Sequence, residues 1–290
     1  MGRILNYIKR GIVYVVKGQP AIHVRPNIAI LGMNDLLKGR TALITGGTSG
    51  IGKAIAIAFV NAGANVIITS RTREKAEITA EEIDIKYEGQ FAKGIELNNE
   101  QIESFEACFN KLTAEIGNNK IDILVNNAGV RGGRWGETSL EEYDKIMDTN
   151  LKGVFFLTEI IARYMKNEGV HGNILNICSA SSLRPANSAY CLSKWGMRAF
   201  TEGLAKTLIP YDIVVNGIAP GPTATPMFGM KSSDDLVASV QPNNRFTTVE
   251  EIADMAVIYV SDMARTIVGD IAYMTGGAAI LTYDDNKYDF

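Results

Sequence analysis

The chain has 290 residues, 46% hydrophobic and 21% charged, with a formal net charge of -3. This length excludes a small stapled fold and is enough for one large α/β domain, and the near-average balance excludes a disordered chain. A mildly negative chain has no global field for nucleic acid, and Cys108, Cys178 and Cys191 are spaced for neither a metal knuckle nor a disulfide framework. Their sparse, odd count fits a reducing cytoplasm.

Residues 1–38 form a basic extension, with Arg3, Lys9, Arg10, Lys17, Arg25 and Lys38 against one acid, Asp35. Ile4, Ile8, Ile12 and Val15 recur at roughly helical spacing, and Gly18 and Pro20 would stop such a helix. Lys9 and Arg10 break the apolar stretch, so no secretory leader is expected. Asn6 stands where a myristoylation signal wants Ser or Thr. No apolar run reaches the length of a spanning helix. Residues 1–17 suit an anionic membrane surface, but an arm packed on a neighbouring subunit is the preferred reading.

From residue 41, short apolar runs alternate with longer amphipathic segments. The runs 41–45, 65–69, 121–125, 173–177 and 213–218 are rich in Val, Ile and Leu without period-two alternation. Strands buried on both faces of a parallel sheet read this way. Helical patterns cover 52–62, 74–87, 101–116, 140–165 and 188–208. Strand and helix in alternation predict a doubly wound sheet. Residues 39–282 read as one domain, followed by an acidic tail at 283–290.

The first strand runs into Thr45-Gly46-Gly47-Thr48-Ser49-Gly50-Ile51-Gly52 and then a helix. Glycines tolerate positive φ and let a phosphate approach the backbone. Free N–H groups at the helix start then bind the anion. The second strand ends in Thr69-Ser70-Arg71-Thr72-Arg73, with no carboxylate. An acid there would hold a ribose 2′-hydroxyl and repel a 2′-phosphate. Arg71 offers a fork suited to a phosphate monoester, and basic residues at a helix start oppose the dipole unless an anion is bound. NADP(H) is therefore favoured over NAD(H), which stays open as the alternative.

Tyr190 and Lys194 lie four apart on the helical segment 188–208, hence on one face. A free Tyr hydroxyl titrates near 10, and reaching neutrality asks for about 4 kcal/mol of preference for the phenolate. An ammonium at about 4 Å supplies an energy of that order. The pair is thus suited to acid–base work, although a Tyr packed on a Lys stem is common on helix faces.

The glycine string, Asn126-Asn127-Ala128-Gly129 after the run 121–125, and Tyr190-Cys191-Leu192-Ser193-Lys194 together resemble the short-chain dehydrogenase/reductase family in its single-domain form. The family includes 3-oxoacyl carrier-protein reductases, sugar and alcohol dehydrogenases and steroid dehydrogenases. The resemblance covers about 240 residues, from Gly39 to about Leu281. It implies a Rossmann-type, three-layer α/β/α single domain. It also implies hydride transfer between a nicotinamide and a carbonyl or secondary alcohol, without a metal.

By the same resemblance Tyr190 exchanges the proton, Ser179 hydrogen-bonds the reacting oxygen and Lys194 assists Tyr190 and holds the nicotinamide ribose. Asn150 holds a water that links Lys194 to solvent. The cofactor set is Gly46, Thr48, Ser49, Gly50, Ile51, Gly52, Ser70, Arg71, Glu96, Leu97, Asn127, Ala128 and Gly129, with Tyr190, Lys194, Pro220, Gly221, Thr223 and Thr225. Glu96 departs from the family's Asp. Ser179 precedes Tyr190 by 11 positions, two fewer than the commoner spacing, which leaves Ser181 and Ser182 as competitors. Arg131, Trp135, Arg184 and Met227 are candidates for touching substrate, and 226–245 reads as a mobile lid. His23 and His171 lie outside every motif. A homotetramer or homodimer is implied by the resemblance alone. The rival reading is a dinucleotide-binding sensor without turnover, to which a Tyr beside a Lys would be of no use.

Overall fold

The five apolar runs become the inner strands of one sheet, and two further strands form its edges. In chain order these are β1 (Thr41–Ile44), β2 (Asn65–Ser70), β3 (Ala92–Glu96), β4 (Ile123–Asn126), β5 (Asn173–Ile177), β6 (Val214–Pro220) and β7 (Ile271–Met274). The spatial order is β3-β2-β1-β4-β5-β6-β7, and every pairing is parallel. All residues of β1, β4, β5 and β6 are buried, which is why they lack alternation. The computed structural model describes residues 35–83, 85, 88–230, 236–237 and 241–281. The expectations for residues 1–34, the membrane or arm reading among them, lie outside the described residues, as do those for 282–290 and for parts of 226–245.

The described helices are α1 (Gly50–Asn61), α2 (Arg73–Glu81), α3 (Phe105–Glu115), α4 (Leu140–Met147), α5 (Gly153–Asn167), α6 (Ala189–Leu208) and α7 (Val249–Val260). One face of the sheet packs Ile44, Ile68 and Val125 against Ile55 and Phe59 of α1, Ala80 of α2 and Ile252 and Ala256 of α7. The other face packs Leu43, Leu124 and Ile174 against Phe109 of α3, Leu157 and Ile161 of α5 and Ala205 of α6. The three-layer α/β/α reading therefore stands. At the opposite edge from the strand C-termini, Arg40 ties Asp122 to Asn173 Oδ1, the latter at 2.9 Å. No helix among the described residues is long and apolar enough to cross a membrane.

Several boundaries differ from the sequence reading. The packed unit begins ahead of residue 39, because Leu36 and Leu37 are buried in the core and Leu37 N–H donates to the Ala62 carbonyl at 2.8 Å. The edge strand β3 escaped the pattern because Ala-Lys-Gly-Ile-Glu is half exposed and reads as polar. The pattern over 101–116 opens with a 3-10 turn, Ile102–Ser104. The pattern over 140–165 is not one helix: a π turn, Asp148–Lys152, separates α4 from α5. Such turns cluster at functional sites.

Candidate active site

The chain leaves β1 and β4, adjacent in the sheet, towards opposite faces. A crevice opens at that switch point, outside the strand C-termini. A cavity of about 580 Å³ lies there, within the range of small-molecule and cofactor sites.

At one end stands the turn after β1. Gly46 has φ +64, which side chains resist. A Cβ on Gly52 would lie 2.4 Å from both the Gly46 carbonyl oxygen and Asn127 Nδ2. Asn127 Nδ2 donates to the Thr45 and Gly46 carbonyls at 2.9 and 3.1 Å and so braces the turn from β4. Ser49 caps α1 by backbone only, and no acid stands in the first turn. The first N–H groups of α1 are therefore left without a side-chain cap, as an anion site requires. Gly46, Thr48, Ser49, Gly50 and Ile51 line the cavity; Gly52 does not, and its part is close packing beneath the turn.

Beyond β2, Ser70, Arg71, Thr72 and Lys75 line the same cavity. Arg73 turns away to Glu77 at 2.7 Å. Neither Arg71 nor Lys75 has an ion-pair partner among the described residues. Beyond β3, the expected pair is half right: Leu97 lines the cavity and Glu96 is exposed outside it, where its position at an edge strand points it to solvent. Asn98, Asn99 and Glu100 line the cavity instead. The glycine cradle and the uncapped helix start fit the phosphates of a dinucleotide, and Arg71 and Lys75 stand beside them in the same cavity.

At the other end, Ser188 caps α6 by accepting from Cys191 N–H at 3.1 Å. The helix presents Tyr190 and Lys194 to the cavity. Lys194 is 5% exposed, and its Nζ donates to the Ile177 carbonyl at 2.9 Å. That ammonium stands 5.9 Å from the Tyr190 ring centre. Ser179 closes β5, and its Oγ accepts from Ser181 N–H at 3.1 Å. Ser182 is fully buried and donates to the Ser179 carbonyl at 2.8 Å, which removes it as a competitor. Ser181 does line the cavity. The loop of 11 positions is thus taken up in a 3-10 turn, Ala180–Leu183, and Ser179 still borders the cavity with Tyr190. Burial pushes the neighbouring Cys178 thiol up, with Lys194 pulling against it, so this thiol stays protonated.

Asn150 differs most from expectation. Its Oδ1 accepts from Val130 N–H at 2.8 Å, and its Nδ2 donates to the Val130 carbonyl at 2.9 Å and to Ser193 Oγ at 3.1 Å. Ser193 in turn donates to the Tyr190 carbonyl at 2.7 Å. The side chain does not line the cavity. Its side chain ties the loop after β4 to the first turn of α6, and both amide hydrogens are spent on those bonds.

Pro220, Gly221, Thr223 and Thr225 line the cavity beyond β6, and Arg131, Arg184 and Met227 border it as expected. Trp135 does not: it is 87% exposed and outside the cavity, and its N–H donates to the Asn187 carbonyl at 3.2 Å. The segment after Thr225 is fastened at both ends. Met230 N–H donates to the Thr225 carbonyl, and Thr247 N–H donates to that of Pro222. His171 pairs with Asp212 at the surface, away from the cavity. Lys75, Asn98, Asn99 and Glu100 were missed. Only Lys75 left a signal, a second cation in the first turn of α2.

The sequence model of short chain dehydrogenases matches residues 40–236. The chain therefore belongs to the short chain dehydrogenase family, and it is an oxidoreductase acting on CH–OH or carbonyl groups of small molecules with NAD(P). Among curated proteins it is similar to the 3-oxoacyl-acyl-carrier-protein reductase of Aquifex aeolicus, 36% identical over 250 residues, which are 84% of this chain and 99% of that protein. Among solved structures it is similar to a short-chain type dehydrogenase/reductase from Mycobacterium marinum, with a TM-score of 0.75 and 31% identity over 87% of this chain and all of that one. It is also similar to a gluconate 5-dehydrogenase from Burkholderia cenocepacia solved with NADP and tartrate. That match has a TM-score of 0.75 and 30% identity over 84% of this chain and 97% of the other.

Proposed function

We propose that this chain is an NADPH-dependent carbonyl reductase, or the reverse alcohol dehydrogenase, with Tyr190 as its proton-exchanging group. One observation carries the reading: a single cavity holds the glycine turn, the cations Arg71 and Lys75, and the set Ser179, Tyr190 and Lys194. When bound, the dinucleotide supplies or accepts the hydride. The turn's N–H groups and Thr225 would hold its pyrophosphate, Arg71 and Lys75 its 2′-phosphate, and Lys194 its nicotinamide ribose. Tyr190 holds a proton at Oη for the reacting oxygen, and Ser179 Oγ donates a second hydrogen bond to that oxygen. The ammonium of Lys194, anchored on the sheet by Ile177, favours the phenolate when the proton leaves.

Two substrate classes compete, 3-oxoacyl thioesters and sugars or polyols, and the similar proteins include a member of each kind. Steady-state kinetics with NADPH against NADH over a panel of ketones, oxoacyl thioesters and oxidised sugars tests the proposal. A preference for NADPH and turnover lost in Tyr190→Phe are expected. Tight NADPH binding without turnover of any panel member would leave a sensor instead.

A homo-oligomer is the proposed assembly. Phe155 and Phe156 on α5 and Leu192 and Trp195 on α6 are 39–47% exposed, and such residues suit cover by a second copy. Cytoplasmic residence is proposed from the three free thiols, which fit a reducing compartment.

A further inference from the structure

Tyr190 is the second residue of α6, and helix ends fray. A displacement of about 1 Å in a reacting group can cost about 100-fold in rate. The backbone around Tyr190 is fastened from outside the helix. Ala189 N–H, one of the first four donors that a helix leaves without an internal partner, donates to the Gly133 carbonyl at 2.9 Å. Arg134 pairs with Ser188 in an antiparallel bridge, and Trp135 N–H donates to the Asn187 carbonyl at 3.2 Å. The loop after β4 is therefore the template on which residues 187–189, just ahead of Tyr190, are laid down.

That template is soft by composition. Gly132 and Gly133 follow one another at φ +133 and +72, and glycines lose more conformational freedom than other residues when fixed. One side chain fixes this pair. Glu142, on α4, accepts from Gly133 N–H through Oε1 at 2.9 Å. A Cβ on Gly132 would lie 2.5 Å from that same oxygen, and one on Gly133 would lie 2.6 Å from Ala189 Cβ. Only glycines let the carboxylate and the helix start close in on the loop together. Gly133 is engaged at both ends: its N–H is held by Glu142, and its carbonyl holds Ala189. The spacing Ser139-x-x-Glu142 is that of a capping box, in which the acid returns to the N-cap N–H. Ser139 Oγ does accept from Glu142 N–H at 3.1 Å, but the carboxylate goes to Gly133. In α7, by contrast, Thr248 and Glu251 make both bonds of the box.

We propose that Glu142 is a positioning residue for Tyr190, acting through Gly133 on the start of α6. The inference rests on the reading of Tyr190 as the proton-exchanging group. What the link needs is a hydrogen-bond acceptor at the reach of Glu142 Oε1, which a Gln amide oxygen also supplies.

The test compares the full-length wild type, Glu142→Ala and Glu142→Gln, with Glu141→Ala on the same exposed turn as a control. In the reduction of an acetoacetyl thioester by NADPH, Glu142→Ala should lower kcat by about 10- to 100-fold and move the KM for NADPH by less than about twofold. Glu142→Gln should recover most of kcat, and Glu141→Ala should match the wild type. A second readout needs no turnover. Amides of residues 187–193 should exchange their hydrogens at least about tenfold faster in Glu142→Ala and at nearly the wild-type rate in Glu142→Gln, with β5 unchanged in both. An unmoved kcat in Glu142→Ala, an equal loss in Glu142→Gln, or unmoved exchange at 187–193 overturns the link. Faster exchange in β5 as well would mean general destabilisation and also overturns it. If the wild type reduces no acetoacetyl thioester, hydride transfer to that substrate class is what fails, and the exchange contrast between Ala and Gln alone upholds or overturns the link.

Discussion

The turn after β1 and the loops after β5 and β6 border one cavity but are made of different material. The turn is backbone: glycines, bare N–H groups and a brace from Asn127. The other side works through side chains, with Ser179 and Arg184 on the segment after β5 and Tyr190 and Lys194 on α6. A backbone site tolerates little change, because a single added Cβ meets main chain. A side-chain site can be re-aimed by changing the residues that hold it.

The contrast is sharpest in Tyr190→Phe. It should lower kcat by about 100- to 10,000-fold, the usual worth of a positioned acid or base, while fluorescence titration shows NADPH still bound. Loss of NADPH binding would mean that the two ends are not separable. At the opposite end, Arg71→Gln should raise the KM for NADPH by about 10- to 100-fold and move that for NADH little. Equal loss with both cofactors would remove Arg71 from the 2′-phosphate.

A stability pair probes the backbone side alone. Gly52→Ala places a methyl 2.4 Å from the Gly46 carbonyl, and denaturant unfolding should show a loss of about 1–3 kcal/mol. Gly203→Ala on α6, with nothing within 4 Å of the new methyl, should instead gain about 0.5–1 kcal/mol. Matching gains would mean that helix propensity, not the turn, governs position 52.

The smallest effect concerns α7, whose start follows the cavity-lining segment. Thr248 and Glu251 form a capping box, and Arg245 forks onto Glu251. These bonds, Arg245 first and the Thr248 N–H second, hold the Glu251 carboxyl down at about 2, against an ordinary value of 4.5. A depressed carboxyl contributes stability that is fully present above 4.5 and is lost as pH falls towards 2. Its exposure keeps that share small. Glu251→Gln should therefore flatten the acid limb of a melting profile, and Thr248→Ala should cost about 1 kcal/mol at neutral pH.

Legibility in the sequence followed the same division. The inner strands stood out because burial on both faces leaves only Val, Ile and Leu, and β3 did not because an edge admits Lys93 and Glu96. The glycine turn was readable because stereochemistry dictates its residues. Asn98, Asn99 and Glu100 were not, since a polar loop after an edge strand has no pattern of its own. Trp135 was read from residue type alone: an aromatic beside a motif looks like a pocket wall, and the side chain instead stands 87% exposed outside the cavity. Asn150 was assigned to the site by resemblance, and only the π turn shows that its work is done on Val130 and Ser193.

That π turn makes the local length of the chain a constrained quantity in its own right. Residues 148–152 hold one more residue than an α turn would, so deleting one of them would let the stretch close to an α turn while α4 and α5 keep their phase. The bulge that lets Asn150 reach Val130 and Ser193 would be lost, and the Phe155 and Phe156 rings would keep their face of α5. A one-residue deletion here should therefore disturb the site and spare the exposed face, whereas the same deletion inside α5 would turn those rings by about 100°.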